Sequence, residues 1–281
     1  MYIKTLSILV ALGILAGNTL YAQEKEEEKK DGKSRTSISI STNGIYINKG
    51  GTTDNDQEEK EDKAFSADFL ILDLGLNSLQ DKSDYTSTAA QALLQVPDEY
   101  QNANLFTLRS GKSWNVNLWP VVASWRMVNG DGQKVYIGTG VGLQMYNFRF
   151  TKPVTYTNEV NPAVYLDSTH TITKNKLAIT YLSVPLMMTF KTKAAKKAWI
   201  VYGFGITGGY RITSHMKQIS KEDGKQKDHD KFNLSDFNSC ATAEIGLDGY
   251  FRLYASYQLT ALHDNGLDQH PLSIGLRFGG I

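Results

Sequence analysis

The chain has 281 residues with 30 basic and 29 acidic side chains, and its formal charge of +1 argues against a polyanionic partner such as nucleic acid. Its single cysteine, Cys240, excludes an intrachain disulfide and leaves no thiol near a signal cleavage site to carry a lipid. Beyond residue 22 no run approaches 18 apolar residues, so any membrane insertion would have to use strands.

Residues 1–22 read as a secretory signal peptide: Lys4, the apolar run LSILVALGILA from Leu6 to Ala16, then small and polar residues up to Ala22. That run of about 11 residues falls short of the roughly 20 that an anchor needs. Residues 23–64 read as a charged periplasmic tether, because QEKEEEKKDGKS and GTTDNDQEEKEDK cannot bury a core. Between those runs Asn43 and Gly44 separate two short alternating segments, which is a hairpin signal.

Residues 65–281 read as a barrel domain. Eight strands are expected, over 67–77, 112–126, 134–150, 177–191, 198–213, 239–248, 250–261 and 271–278. The gaps between them alternate long and short, as in an antiparallel outer-membrane barrel with short periplasmic turns and long outer loops. Within KVYIGTGVGLQMYNFRF (134–150) the odd positions are mostly apolar, while Gly138, Gly140 and Gly142 share the even face. The same parity elsewhere gives an outward set that includes Leu70, Leu72, Leu74, Leu76, Val116, Leu118 and Val122. The opposite face holds the charges. Trp114 and Tyr210 are expected at the outer rim, with Phe190, Phe251 and Phe278 at the inner one. Pro120 and Pro185 fall inside strands of a sheet without edges, so each should mark a bulge.

The segments LAITYLSVPLMMTF, AWIVYGFGITGGYRITSHMKQISKEDGKQK and FNLSDFNSCATAEIGLDGYFRLYASYQLTAL resemble the PorT-like outer-membrane β-barrel family of Bacteroidota, as do LDLGLN and SGKSWNVNLW upstream. The resemblance implies an all-β, eight-stranded antiparallel up-and-down transmembrane β-barrel in the cell outer membrane, inserted by the barrel assembly machinery. In some relatives it also implies a link to protein secretion components. One departure is the C-terminus, where Phe278 is followed by GGI rather than closing the chain on an aromatic.

An eight-stranded barrel has an interior that its own side chains fill. By parity Asp73, Arg211, Glu244, Arg252 and Arg277 point inward, and buried charges must pair, so they are expected to form a structural lumen cluster. His215, His229, His263 and His270 fall with His170 in the expected outer loops and are candidates for a loop-borne ligand site. Their spacing matches no compact metal motif, and no metal or cofactor is expected. Ser214-His215 and LHDNGLDQH offer residue types for an outer-rim enzyme but no diagnostic spacing.

SGKSW lacks the first glycine of a phosphate loop, and DNDQEEKED lacks the turn glycine of a calcium loop. Lys217, Lys221, Lys225, Lys227 and Lys231 in the third outer loop are candidates for lipopolysaccharide phosphates, although nearby acids nearly cancel their charge and favour a hydrated loop. In the first outer loop STAAQALLQV is expected to form a short amphipathic helix over the mouth. The reading is therefore a non-enzymatic outer-membrane platform, with lipid, lipopolysaccharide and envelope components as partners. The alternatives are a small-solute pore, an outer-membrane enzyme, or a soluble secreted sandwich whose alternation would look the same.

Overall fold

A computed structural model describes residues 35–41, 44–50, 64–157, 162–195 and 198–280. The signal peptide, the charged runs 23–34 and 51–63, and Asn43 lie outside the described residues. In chain order the strands begin with β1 (Arg35–Ser41), β2 (Gly44–Gly50), β3 (Phe65–Asp81), β4 (Leu94–Gln95), β5 (Trp114–Asn129), β6 (Gln133–Arg149) and β7 (Val154–Thr157). They continue with β8 (Ala163–Leu166), β9 (Ile172–Lys193), β10 (Trp199–Ser220), β11 (Lys225–His229), β12 (Phe237–Leu247), β13 (Arg252–Gln258) and β14 (Gln269–Phe278). Helix α1 spans Thr88–Leu93. Strands β1 and β2 form a two-stranded sheet of their own.

From β3 onward the long strands close on themselves. Each of β3, β5, β6, β9, β10, β12, β13 and β14 pairs antiparallel with the next, and β14 returns to pair with β3. The result is an all-β, ring-closed antiparallel sheet of eight strands, with β11 added beside β10. Strict alternation drives the closure. On β9 Tyr181, Ser183, Met187 and Thr189 are buried while Leu182, Val184, Leu186 and Met188 are exposed, so the exterior is apolar and the lumen mixed. Trp114, Tyr210 and Phe237 mark the long-loop end of that apolar exterior, and Trp125, Phe251 and Phe278 the short-turn end. Among the described residues no helix is long and apolar enough to cross a membrane.

Two proline expectations resolve differently. Between the pairs Leu118↔Leu143 and Val121↔Val141, Trp119 and Pro120 stand opposite Gly142 alone, which is a bulge at Pro120. Parity flips beyond it, so Val121 and Trp125 carry the outward face and Val122 shares the inward face with buried Ser124. The outward assignment of Val122 is thereby corrected. The neighbouring β3 answers with Leu70 at φ 60°, exposed beside Phe69. Pro185 marks no bulge: β9 keeps its register with β10 at Thr207↔Pro185, and the Pro185 carbonyl accepts from Thr139 Oγ1 at 2.8 Å. The irregularity on β10 falls instead between Arg211 and Thr213.

Strands β9 and β10 run further past the barrel wall than alternation alone suggested, and β13 leaves the ladder earlier, at Gln258. Over the long-loop end the connections are far from a loose hydrated fringe. β4, β8 and β7 form a three-stranded sheet, and α1 begins with Ser87 Oγ accepting from the Ala90 amide at 3.2 Å. Its buried Ala90 and Leu93 face the loop core.

Candidate functional site

The lumen charges arise from strand register. Asn117, Asp73, Arg277 and Arg252 are successive register partners across β5, β3, β14 and β13, so one rung of the wall carries two guanidinium groups beside a carboxylate. Glu244 on β12 joins them from the next inward position, two residues from Gly246, the register partner of Arg252. Asp73 accepts from Arg277 Nε at 2.6 Å and Nη2 at 2.8 Å, from Trp119 Nε1 at 2.9 Å and from Asn117 Nδ2 at 3.2 Å. Arg277 Nη1 donates to Glu244 at 2.8 Å, and Arg252 Nη1 donates to the other oxygen of Glu244 at 3.1 Å. Arg252 Nη2 also donates to the Gly279 carbonyl at 2.6 Å, tying the C-terminal turn to the lumen. Two cations and two anions thus neutralise each other away from water, the only arrangement in which burial of such charges is tolerable.

Glycine makes the space. A Cβ on Gly75 would fall on the Tyr254 hydroxyl, one on Gly142 on the Trp119 ring, and one on Gly246 would come within 2.7 Å of Arg252 Cγ. Tyr254 thereby reaches across the lumen to donate to Asn115 Oδ1 at 2.6 Å. On β6 itself Gly142 looks onto the large Trp119 ring, whereas Gly138 and Gly140 meet Ser124 and Val122 of the neighbouring β5.

Arg211 does not belong to this cluster. The bulge that follows it leaves its guanidinium at the long-loop end, paired with Asp236 and donating to Ser214 Oγ at 2.9 Å and the Leu234 carbonyl at 3.1 Å. It fastens the segment before β12 rather than balancing Asp73 or Glu244.

The four candidate histidines do not converge on one site; only His215 and His229 meet. His215 and His229 lie in β10 and β11 as register partners with ring centroids 5.1 Å apart. His270 lies in β14, with Nδ1 against the Gln258 carbonyl at 2.9 Å and Nε2 against Asp268 at 2.8 Å. His263 is buried, stacked on Tyr156 at 5.9 Å, with neither ring nitrogen finding a hydrogen-bond partner among the described residues. Burial pushes its pKa down to about 4. Backbone position keeps His263 and His270 away from the His215–His229 pair, and no group of three metal-ligating side chains occurs among the described residues. Ser214 and His215 point to opposite faces of β10, so they form no dyad: Ser214 Oγ donates to the Asp230 carbonyl inside, while His215 lies outside. His170 sits elsewhere, between Asp167 at 2.7 Å and Asp223 at 2.9 Å, and hydrogen bonding to Asp167 raises its pKa.

Above the charge cluster lie buried polar side chains, with Ser273 donating to Asn77 at 2.6 Å and Ser183 to Gln144 at 2.9 Å, and beyond them the lumen becomes apolar. Tyr146, Phe148, Leu177, Ile179, Tyr181 and Met216 from the walls pack with Phe106, Tyr156, Phe232, Leu234 and Leu262 from the loops. Tyr146 stacks on Phe148 at 6.0 Å and meets Tyr181 edge-on at the same distance. Buried Cys240 lies below, its Sγ 3.6 Å from the Tyr146 hydroxyl. This plug was signalled in the sequence only by the amphipathic stretch at α1.

The exterior beyond Tyr210 carries a second feature. Inward Phe148, Leu177 and Met216 are register partners, so the next residues on each strand, Arg149, Lys176 and Lys217, share the outward face, with Lys227 on β11 completing the row. Lys174, Ile219 and Lys225 form the row above. Lys176 donates to Asn147 Oδ1 at 2.6 Å, and burial together with Lys174, Lys217 and Lys227 pushes its pKa down to about 8.

No protein-family model matches the chain, so the PorT-like resemblance rests on the quoted motifs alone. No curated protein matches it either. Among solved structures it is similar to the crystal structure of Ail, the attachment invasion locus protein of Yersinia pestis. That similarity has 10% identity and a TM-score of 0.27, covering 75% of this chain and 98% of that one. At that score the likeness adds nothing to the ring closure already given by strand pairing.

Proposed function

We propose that the chain is an outer-membrane protein, an up-and-down transmembrane barrel with a periplasmic N-terminal extension, serving as a structural, assembly or secretion-associated platform. The observation that carries this reading is the contrast between an apolar exterior bounded by aromatic residues at both ends and a lumen closed twice, by the Asp73–Arg277–Glu244–Arg252 cluster and by the apolar plug. A soluble sandwich would point that apolar face inward. A double closure also speaks against the small-solute pore, because a conducting path would have to break paired buried charges and a packed aromatic layer. With the interior committed to filling itself, the surfaces left for partners are the loops, the outward rim and residues 23–64. Photo-crosslinkers placed along residues 23–64 in intact cells test the platform role. Reproducible capture of envelope assembly or secretion components supports it, and a chain that is extracted alone from every position overturns it.

A further inference from the structure

Directly opposed like charges destabilise a sheet. Yet Lys176, Lys217 and Lys227 are consecutive register partners on one face, flanked by Arg149 in the same row and by Lys174 and Lys225 in the next. The acids of this hairpin do not relieve them. Asp228 is the register partner of inward Met216 and so takes the other face, Asp223 is held by His170, and Glu222 accepts from the Thr171 amide at 2.9 Å. Ion pairs recorded among the described residues include none of these lysines. The near-neutral composition of the loop thus conceals a one-sided face, because period two sends lysines and acids opposite ways.

We propose that this face binds the phosphate groups of outer-leaflet glycolipid. The inference deepens the membrane reading above and rests on it for the location of the face. With strands about 4.8 Å apart, Arg149, Lys176, Lys217 and Lys227 make a row of cations about 14 Å long. Lys176 lies six residues past lipid-facing Leu182 on β9, about 15 Å higher for a strand rising about 3.3 Å per residue at a lean of about 40°. Its flexible stem, like those of its neighbours, can reach back toward the hydrocarbon edge. A layer of multivalent phosphates supplies the counter-charge the opposed lysines lack, and the bundled cations supply affinity that a single lysine would not.

The test uses the purified full-length protein in zwitterionic detergent, titrated with a diphosphorylated disaccharide glycolipid and with its dephosphorylated counterpart, with bound lipid read by native mass spectrometry. Lys176→Gln/Lys217→Gln/Lys227→Gln removes three charges from the face. Lys221→Gln/Lys231→Gln removes two from the same hairpin region but off the two rows. The expected result is tight binding of the phosphorylated glycolipid only, weakened about a hundredfold in the triple variant and little changed in the double variant. Equal loss in both variants, no loss in either, or equal binding of the dephosphorylated lipid overturns the proposal. So does displacement by inorganic phosphate at matching concentration, which would mark a free-anion site. Vesicle flotation is run in parallel: a chain that fails to float overturns the membrane reading, whereas the detergent titration still reads the lysine face by itself.

Discussion

Replacing Asp73 with Asn tests whether the lumen is held by paired charge. The substitution keeps the shape and one acceptor oxygen, but it exchanges two charge-assisted bonds from Arg277, at 2.6 and 2.8 Å, for an amide that must also face Trp119 Nε1 and Asn117 Nδ2. Glu244 is then the one carboxylate left in direct contact with both Arg252 and Arg277, with buried Asp68 acting on Arg252 through space, so the cluster loses half of its bonded negative charge in a site from which water is excluded. Breaking one partner of a buried pair costs about 3 to 5 kcal/mol. The charge-neutral double variant Asp73→Asn/Arg277→Met leaves Glu244 and Arg252 together, so it should cost less than the sum of its singles by about 2 kcal/mol. Urea unfolding of the refolded barrel in vesicles, at an unchanged slope, reads both quantities. A single-variant loss below about 1 kcal/mol, or strict additivity, would refute the claim that these four residues act as one network.

Three other outcomes follow from the same geometry. Cys240, buried beneath the plug, should stay unlabelled by a water-soluble maleimide in the folded barrel and react fully in denaturant; rapid labelling of folded protein would indicate a wet lumen. Gly142→Ala should destabilise by about 1 to 3 kcal/mol because its methyl group meets the Trp119 ring and the Leu118 carbonyl. Gly208→Ala, which meets nothing within 4 Å, should leave the same unfolding midpoint unchanged. His263 has a folded pKa of about 4 against an ordinary 6.5, so its neutral form stabilises the plug fully above pH 6.5 and that contribution is lost as pH falls toward 4. The full effect is roughly 3 kcal/mol, and His263→Leu should flatten the midpoint against pH in that window.

The wall of the fold was legible because period two repeats over long strands and the gaps between them alternate long and short: eight strands were expected and eight close the ring. What parity could not carry was position along the strand. It placed Arg211 on the inward face with Asp73, yet a bulge and several residues of height separate them, and Arg211 ends on Asp236. Val122 was misassigned because a bulge reverses every side chain beyond it, and proline signals one only where the register yields, as at Pro120 but not at Pro185. The histidines read as one loop cluster because chain order cannot show that β10 and β11 carry two of them outward while His263 is buried against Tyr156. Charge counting named Lys217, Lys225 and Lys227 among its phosphate candidates but favoured a hydrated loop and left out Arg149, Lys174 and Lys176, since net charge in a loop says nothing about which side of a hairpin each sign occupies. The signal was present as alternation in the segment HMKQISKEDGKQKDH, once its pairing is known.

The most direct test of the membrane barrel is a spin-label scan along residues 182–189 of the protein reconstituted in vesicles, comparing collisions with oxygen, which partitions into lipid, and with a water-soluble nickel chelate. Leu182, Val184, Leu186 and Met188 should collide with oxygen and not with nickel, while labels at Ser183, Met187 and Thr189 should be shielded from both. Nickel access at the leucine and valine positions would contradict the account, because that face would then be meeting water.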